Sequence, residues 1–200
     1  MVACLAVPAF GLRAALQPRC DLRDKPVALG PSLAGPNLIG PCTAAAHVRG
    51  IRPGMTVGEA LATCPELTLA RPDPAAAAEL WEQLLRRLEN VGLTIEPLEP
   101  GYVLFETAGI ESLAGGLRAA LERALTAVGR EWQPRIGVAE RRLAAVAAAG
   151  AAAPGRALVV DDNETALFLE PLPLDLLPLS TEQRNELSAL AVRRLGGFAA

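Results

Sequence analysis

The chain has 200 residues, 51% apolar and 20% charged, which excludes a disordered or solvating chain and is enough for one large or two small packed domains. Nineteen Lys and Arg stand against 22 Asp and Glu, and the formal charge of −3 argues against an autonomous high-affinity nucleic-acid binder. Four cysteines without a C-x-x-C pair and a single histidine argue against a zinc framework, and no apolar run reaches the ~18 residues of a membrane span. Buried, reduced thiols in a cytosolic protein are the simpler expectation.

Val2 to Val7 is a short apolar run stopped by Pro8, the pattern of a buried strand. A helix is expected over Gly11 to Gln17. From Pro18 to Pro74 prolines and glycines recur every few residues, so only short elements fit, among them a strand at Pro26–Gly30 and a helix at Gly58–Cys64. The clearest helix runs from Pro74 to Val91, with Asp73 as its cap, Gly92 as its stop, and Leu80, Leu84, Leu88 and Val91 on one stripe.

Thr94–Leu98 and Tyr102–Glu106 flank Pro100-Gly101, a hairpin signal. A helix from Leu113 or Leu117 to Val128, a strand at Arg135–Ala139, an Ala-rich helix at Glu140–Ala149 and a strand at Ala157–Val160 follow. Asp161 and Glu164 have capping-box spacing ahead of a helix to Leu169, and Ser180 with Gln183 repeats that spacing in the tail. This order predicts an α/β (α+β) fold: a mixed sheet with helices on one face, interrupted by a small irregular insertion.

Three blocks carry a resemblance. Leu22-Arg23-Asp24-Lys25-Pro26-Val27-Ala28-Leu29 resembles the segment that enters the fingers of Y-family DNA polymerases. Gly50-Ile51-Arg52-Pro53-Gly54-Met55 with Ala60 to Leu67 is similar to a second block of that family, and Leu172-Pro173-Leu174 to Leu177 to its entry into the thumb. The resemblance implies a polymerase palm over 1–17 and 72–170, fingers over 18–71, and the start of a thumb over 171–200.

Two-metal phosphoryl transfer needs several carboxylates converging on ions about 4 Å apart. The family supplies them from a first-strand D-x-D and a later S-x-D-E-x-x-x-D hairpin. Here residues 1–20 contain no Asp or Glu, and the first-strand acid positions fall on Val7 and Ala9. In the hairpin, Glu99 replaces one acid, whereas Pro100 and Leu104 stand at the others. The family's triphosphate-binding Y-x-A-R is matched by Ala44 and His47, and its later phosphate lysine by Val146. Arg49, Arg52 and Arg142 are left as candidate DNA-phosphate contacts.

These departures, with Leu113-Ala114-Gly115-Gly116 after Phe105-Glu106-Thr107, resemble the ImuB-type subgroup. That likeness implies a chain that is not an enzyme and holds no metal or other cofactor: a bacterial cytoplasmic adaptor in SOS-induced mutagenesis, nucleoid-associated when recruited. Its implied partners are a sliding clamp, a RecA-like accessory protein and an error-prone polymerase, with weak DNA contact at most and no membrane. Two other readings stay open. One is an active translesion polymerase using Glu99 and magnesium; the other is a degenerate fragment, folded but without a partner.

Overall fold

Five short strands form one sheet in the spatial order β4-β5-β1-β6-β7: β1 Val2–Ala6, β4 Ile95–Glu99, β5 Tyr102–Glu106, β6 Arg135–Ala139 and β7 Ala157–Val159. The computed structural model describes residues 1–32, 35–108 and 115–179, with 183, 186, 187, 190 and 194–198 beyond them. The first strand lies in the middle of the sheet, antiparallel to β5 on one side and β6 on the other. Pro100-Gly101 makes the tight β4–β5 connection, where Gly101 adopts φ 102°, a conformation open to glycine. Strands β6 and β7 are parallel, so a crossover must join them, and helix α6 (Arg142–Ala151) provides it.

Contacts divide the chain into two compact units, Met1–Pro8 with Leu84–Ala200, and Ala9–Gln83. In the first, both faces of the sheet are buried. Cys4, Ala6, Leu104 and Ala139 pack against the alanines of α6, whose far side is covered by Leu174, Leu177 and Leu195. A side chain at Gly137 would bring its Cβ within 2.1 Å of the Ala149 nitrogen and 2.2 Å of the Ala145 oxygen, so glycine sets how closely α6 approaches β6.

On the opposite face Ala3, Leu5, Val7, Val103, Phe105, Ile136 and Val138 are equally buried. Helix α5 (Leu117–Val128) contacts β6 and buries Ala120, Leu121, Ala124 and Val128, and the later part of α4 (Pro74–Asn90) buries Leu84 and Leu88 in the same unit. The expected mixed α/β sheet with packed helices is therefore present. Strand residues of both parities are apolar and buried, as expected of a sheet covered on both faces.

The second unit is built from short pieces. β2 (Val27–Leu29) pairs in parallel with β3 (Thr68–Ala70), a three-residue strand that the sequence reading did not separate from the proline-rich stretch. Helices α2 (Ala44–Val48) and α3 (Val57–Thr63) pack Ala46 and Ala60 with Ile39, Ile51, Cys64 and Leu67. Helix α1 (Phe10–Ala15) contributes Leu12 to a smaller cluster with Leu16, Leu22 and Val27, and Phe10 meets Trp81 edge-on at 5.3 Å. Such short helices depend on their ends. The Thr56 hydroxyl accepts from the Glu59 N–H while the Glu59 carboxylate accepts from the Thr56 N–H, a full capping box on α3.

Asp73 caps α4 as expected, its Oδ1 accepting from the Ala76 N–H at 3.0 Å. Asp161 does not cap by its side chain: it precedes a 3-10 turn over Asp162–Glu164, and its backbone carbonyl accepts from the Glu164 N–H and the Thr165 hydroxyl. Helix α7 (Thr165–Leu169) follows that turn. The expected Ser180 cap and the Leu113-Ala114 part of the subgroup signature lie outside the described residues.

Candidate functional site

The β4–β5 turn and the end of β1 meet at one end of the sheet. The Val7 N–H donates to the Gly101 carbonyl at 2.7 Å, which holds the end of the first strand against the hairpin turn. Thus Val7, Glu99 and Pro100, assigned to the family's acid positions from separate parts of the sequence, come together. Val7 is fully buried and apolar, and Leu104, two residues along β5 from Tyr102, is buried on the α6 face. Ala9 follows in a left-handed conformation, φ 56° and ψ 40°, at the start of α1. A non-glycine residue there is strained by about 1–2 kcal/mol.

Cross-strand pairing lines up four residues at this end: Glu99 opposite Tyr102, Tyr102 opposite Ala6, and Ala6 opposite Arg135. Tyr102, Ala6 and Arg135 are directly paired across antiparallel strands and share a face, and Glu99 pairs with Tyr102 past a register shift between Pro97 and Glu99. Partial shielding from water raises the pKa of Glu99. Burial, then the Cys4 and Glu99 charges, push the Tyr102 phenol up to about 12 against the opposing influence of Arg135, so it is a neutral donor near pH 7. Burial likewise pushes the Cys4 thiol up to about 12. Arg135 donates from Nη1 to the Gly150 carbonyl at 3.0 Å, and its Nε is buried without a hydrogen-bond partner.

The other positions of interest are spread between the two units. Ala44 is the first residue of α2, whose hydroxyl cap comes from Thr43, and His47 lies exposed on the last turn. Val146 is buried within α6, so the position of the family's lysine faces the core. All three candidate phosphate-binding arginines have partners within their own unit. Arg49 pairs with Glu66. Arg52 donates to the His47 and Ile51 carbonyls at 2.7 and 2.8 Å, closing the end of α2, with the His47 Nδ1 3.5 Å away. Arg142, at the start of α6, grips Glu96 through two bonds of 2.7 and 2.5 Å. That pair lines a cavity of about 470 Å³ with Val2, Thr94, Ile95 and Glu106, at the end of the sheet away from the Glu99 row.

Arg135 escaped the sequence reading because nothing in its local sequence marks it. Only the strand register sets it in line with Glu99. The Thr56–Glu59 box was visible as T-x-x-E and went unremarked.

A mixed palm-like sheet with an acidic hairpin turn beside the first strand defines a Y-family polymerase-like protein, and the comparisons agree. The impB/mucB/samB family model matches residues 5–150, and the chain belongs to that family. It is 26% identical over 185 residues to a DNA polymerase IV of Dehalococcoides mccartyi, covering 91% of this chain and 47% of that protein. It is 26% identical over 178 residues to a DNA polymerase IV of Shigella flexneri, covering 88% of this chain and 51% of that protein. The chain thus spans about half the length of the relatives it matches.

The fold superposes on DinB from Sulfolobus solfataricus with a TM-score of 0.68 at 16% identity, covering 96% of this chain and 58% of that one. A Dbh ternary complex gives a TM-score of 0.71 at 16% identity, covering 97% and 58%.

Two expectations are corrected by these relatives. The reading of the chain as no enzyme is overturned by relatives that are DNA polymerases by name. The expectation of no cofactor falls with it, because Y-family polymerases use divalent metal ions, magnesium among them. The residues at the cleft end do not by themselves fit a two-ion site. Glu99 is the one carboxylate of the row, and among the described residues no three His, Cys, Asp or Glu side chains converge to hold a metal. No helix of the described residues is long and apolar enough to cross a membrane.

Proposed function

We propose that the chain acts in translesion DNA synthesis as the palm and fingers of a Y-family DNA polymerase with an atypical metal site, in which Glu99 is the acidic anchor. In this reading residues 1–17 and 72–170 are palm, 18–71 fingers and 171–200 the entry to the thumb. The observation that carries it is the junction of the first strand with the hairpin turn: the Val7 N–H on the Gly101 carbonyl holds Glu99 at the end of the central strand.

Tyr102, paired with Glu99 and neutral near pH 7, offers a hydrogen-bond donor beside the carboxylate. A bound divalent ion would supply charge to polarise a phosphoryl oxygen. This chain's own contribution is to hold one carboxylate at a fixed turn.

The test is primer extension by the purified protein with magnesium or manganese. Incorporation is expected, and Glu99→Gln should reduce it by about tenfold or more. Absence of incorporation by the unaltered protein with either ion overturns the reading.

A second reading is favoured by one observation, the apolar Val7, Ala9 and Leu104 with Pro100 at acid positions of the family. It is an ImuB-type adaptor in SOS-induced mutagenesis, joining a sliding clamp, a RecA-like accessory protein and an error-prone polymerase at damaged DNA. Arg49, Arg52 and Arg142 then give at most weak phosphate contact, each exchanging an internal partner for it. Co-purification of those three proteins with this chain would support the adaptor; their absence would remove it.

A further inference from the structure

Strand β7 ends the five-stranded sheet on the side opposite β4, and among the described residues no strand pairs with its outer edge. The Ile136 N–H donates to the Arg156 carbonyl and the Val160 N–H to the Val138 carbonyl, so Arg156 and Val160 turn these backbone groups toward β6. Strand alternation then turns the N–H and C=O groups of Ala157 and Val159 off the sheet. Val159 is also 49% exposed. Natural edges carry lysine, proline or a bulge against further pairing, and Ala157-Leu158-Val159 carries none of them. Only its shortness limits it.

The two ends of this edge are oppositely charged. Arg156 precedes the strand, and Asp161 and Asp162 follow it; none of the three has an ion-pair partner among the described residues. Asp161 makes no side-chain cap, and its backbone is extended at φ −71° and ψ 148°, so strand geometry runs through it.

Such an edge is complementary to itself run backwards. With a two-fold axis at Val159, the outward-facing residues meet as Val159 opposite Val159 and Ala157 opposite Asp161, and Arg156 then stands opposite Asp162. The central pair exchanges two N–H to carbonyl bonds, and at each end the Asp161 N–H reaches an Ala157 carbonyl. The Asp161 carbonyl already accepts from the Glu164 N–H and the Thr165 hydroxyl, which closes the pairing there. Arg156 and Asp162 fall in a pair without backbone bonds, the class that brings side chains closest.

We propose that two copies of this chain associate reversibly by antiparallel pairing of their β7 edges, with Arg156 of each copy against Asp162 of the other. The pairing does not depend on the reading of the chain as a polymerase. An edge this short buries far less than the roughly 800 Å² per partner of a stable interface, so the dimer is weak.

The experiment is sedimentation equilibrium of the purified protein at rising concentration, at low and at moderate salt. A dimer is expected to appear below about 1 mM and to weaken as salt rises. Val159→Pro removes an N–H that β6 does not use and should abolish the dimer. Arg156→Glu and Asp162→Lys each set like charges opposite one another at both ends, and each alone should weaken association about tenfold. An equal mixture of these two variants restores opposite charges at both ends and should regain the unaltered level. Both sites are exposed, so the mixture decides the matter even where Val159→Pro does not fold.

A chain that stays monomeric to about 1 mM overturns the proposal. So does a dimer that survives in folded Val159→Pro, or a mixture that associates no better than its two components alone.

Discussion

The two ends of the five-stranded sheet each carry a glutamate from β4 and an arginine from the far side of β1, and they treat them in opposite ways. At one end Glu96 and Arg142 close into a two-bond ion pair in water. At the other, Glu99 and Arg135 stand in one cross-strand row with Tyr102 and Ala6 between them and are not joined. The pKa directions follow. The Arg142 guanidinium holds the Glu96 carboxyl below the usual carboxylate range, while partial desolvation raises Glu99. A charge pair that satisfies itself has little left for a ligand. Among the described residues the Glu99 carboxylate is left without such a partner, and its shift comes from partial burial alone.

The comparison breaks most visibly if the shared floor is disturbed. Helix α6 starts at Arg142 and passes Gly150, the acceptor of the Arg135 bond, so it links both ends. Gly137→Ala would drive its Cβ into the backbone of α6 at Ala145 and Ala149, where no flexible side chain can yield. We expect a loss of about 3 kcal/mol or more, seen as a large fall in thermal midpoint. Unchanged stability would mean that α6 and β6 are not held at this spacing. Arg142 and Arg135 would then not share a platform.

A smaller change tests the end opposite the Glu99 row alone. The Thr107 hydroxyl donates to the Met1 carbonyl at 3.0 Å, and Thr107 is buried. Thr107→Val keeps the shape and removes the bond, for an expected loss of about 1 kcal/mol in denaturant unfolding. Nucleotide incorporation by the purified protein should not move. If it does, the two ends are coupled and their contrast is not local.

How much of this was legible beforehand depends on how each element announces itself. Strand β1, the Pro100-Gly101 hairpin and α4 behind Asp73-Pro74 could be read directly, because each is bounded by residues with a fixed backbone role. Helix α6 could be read as a helix but not oriented: residues 144–149 are Ala, Ala, Val, Ala, Ala and Ala, a run that gives periodicity no phase, and all are buried. Nothing local specifies that β1 lies between β5 and β6, since that pairing joins residues far apart in the chain.

The candidate site divides the same way. Val7, Glu99 and Pro100 were found by resemblance to motifs. Arg135 has no motif and emerges only from the register that sets it opposite Ala6. Arg49, Arg52 and Arg142 were legible as exposed cations, but the partners that occupy them lie 1 to 46 residues away in sequence and were not.

The finest test of the contrast is the pH dependence of stability in Glu96→Gln and Glu99→Gln. Glu96 is depressed in the folded state, so its contribution is present above the unfolded pKa and lost as pH falls through the lower folded value. Replacing it should therefore lower the thermal midpoint at neutral pH, by about 2 °C or less for an exposed pair, and the loss should shrink with added salt and with acid. Glu99 is raised, so its favourable contribution is full below the unfolded pKa and lost as pH rises through the folded value. Glu99→Gln should accordingly raise the midpoint slightly at neutral pH and converge with the unaltered protein near pH 4. Two glutamates three residues apart on one strand would then respond to the same substitution with opposite signs. Equal signs would show that a partner in the fold compensates the Glu99 carboxylate, and the contrast between the two ends would disappear.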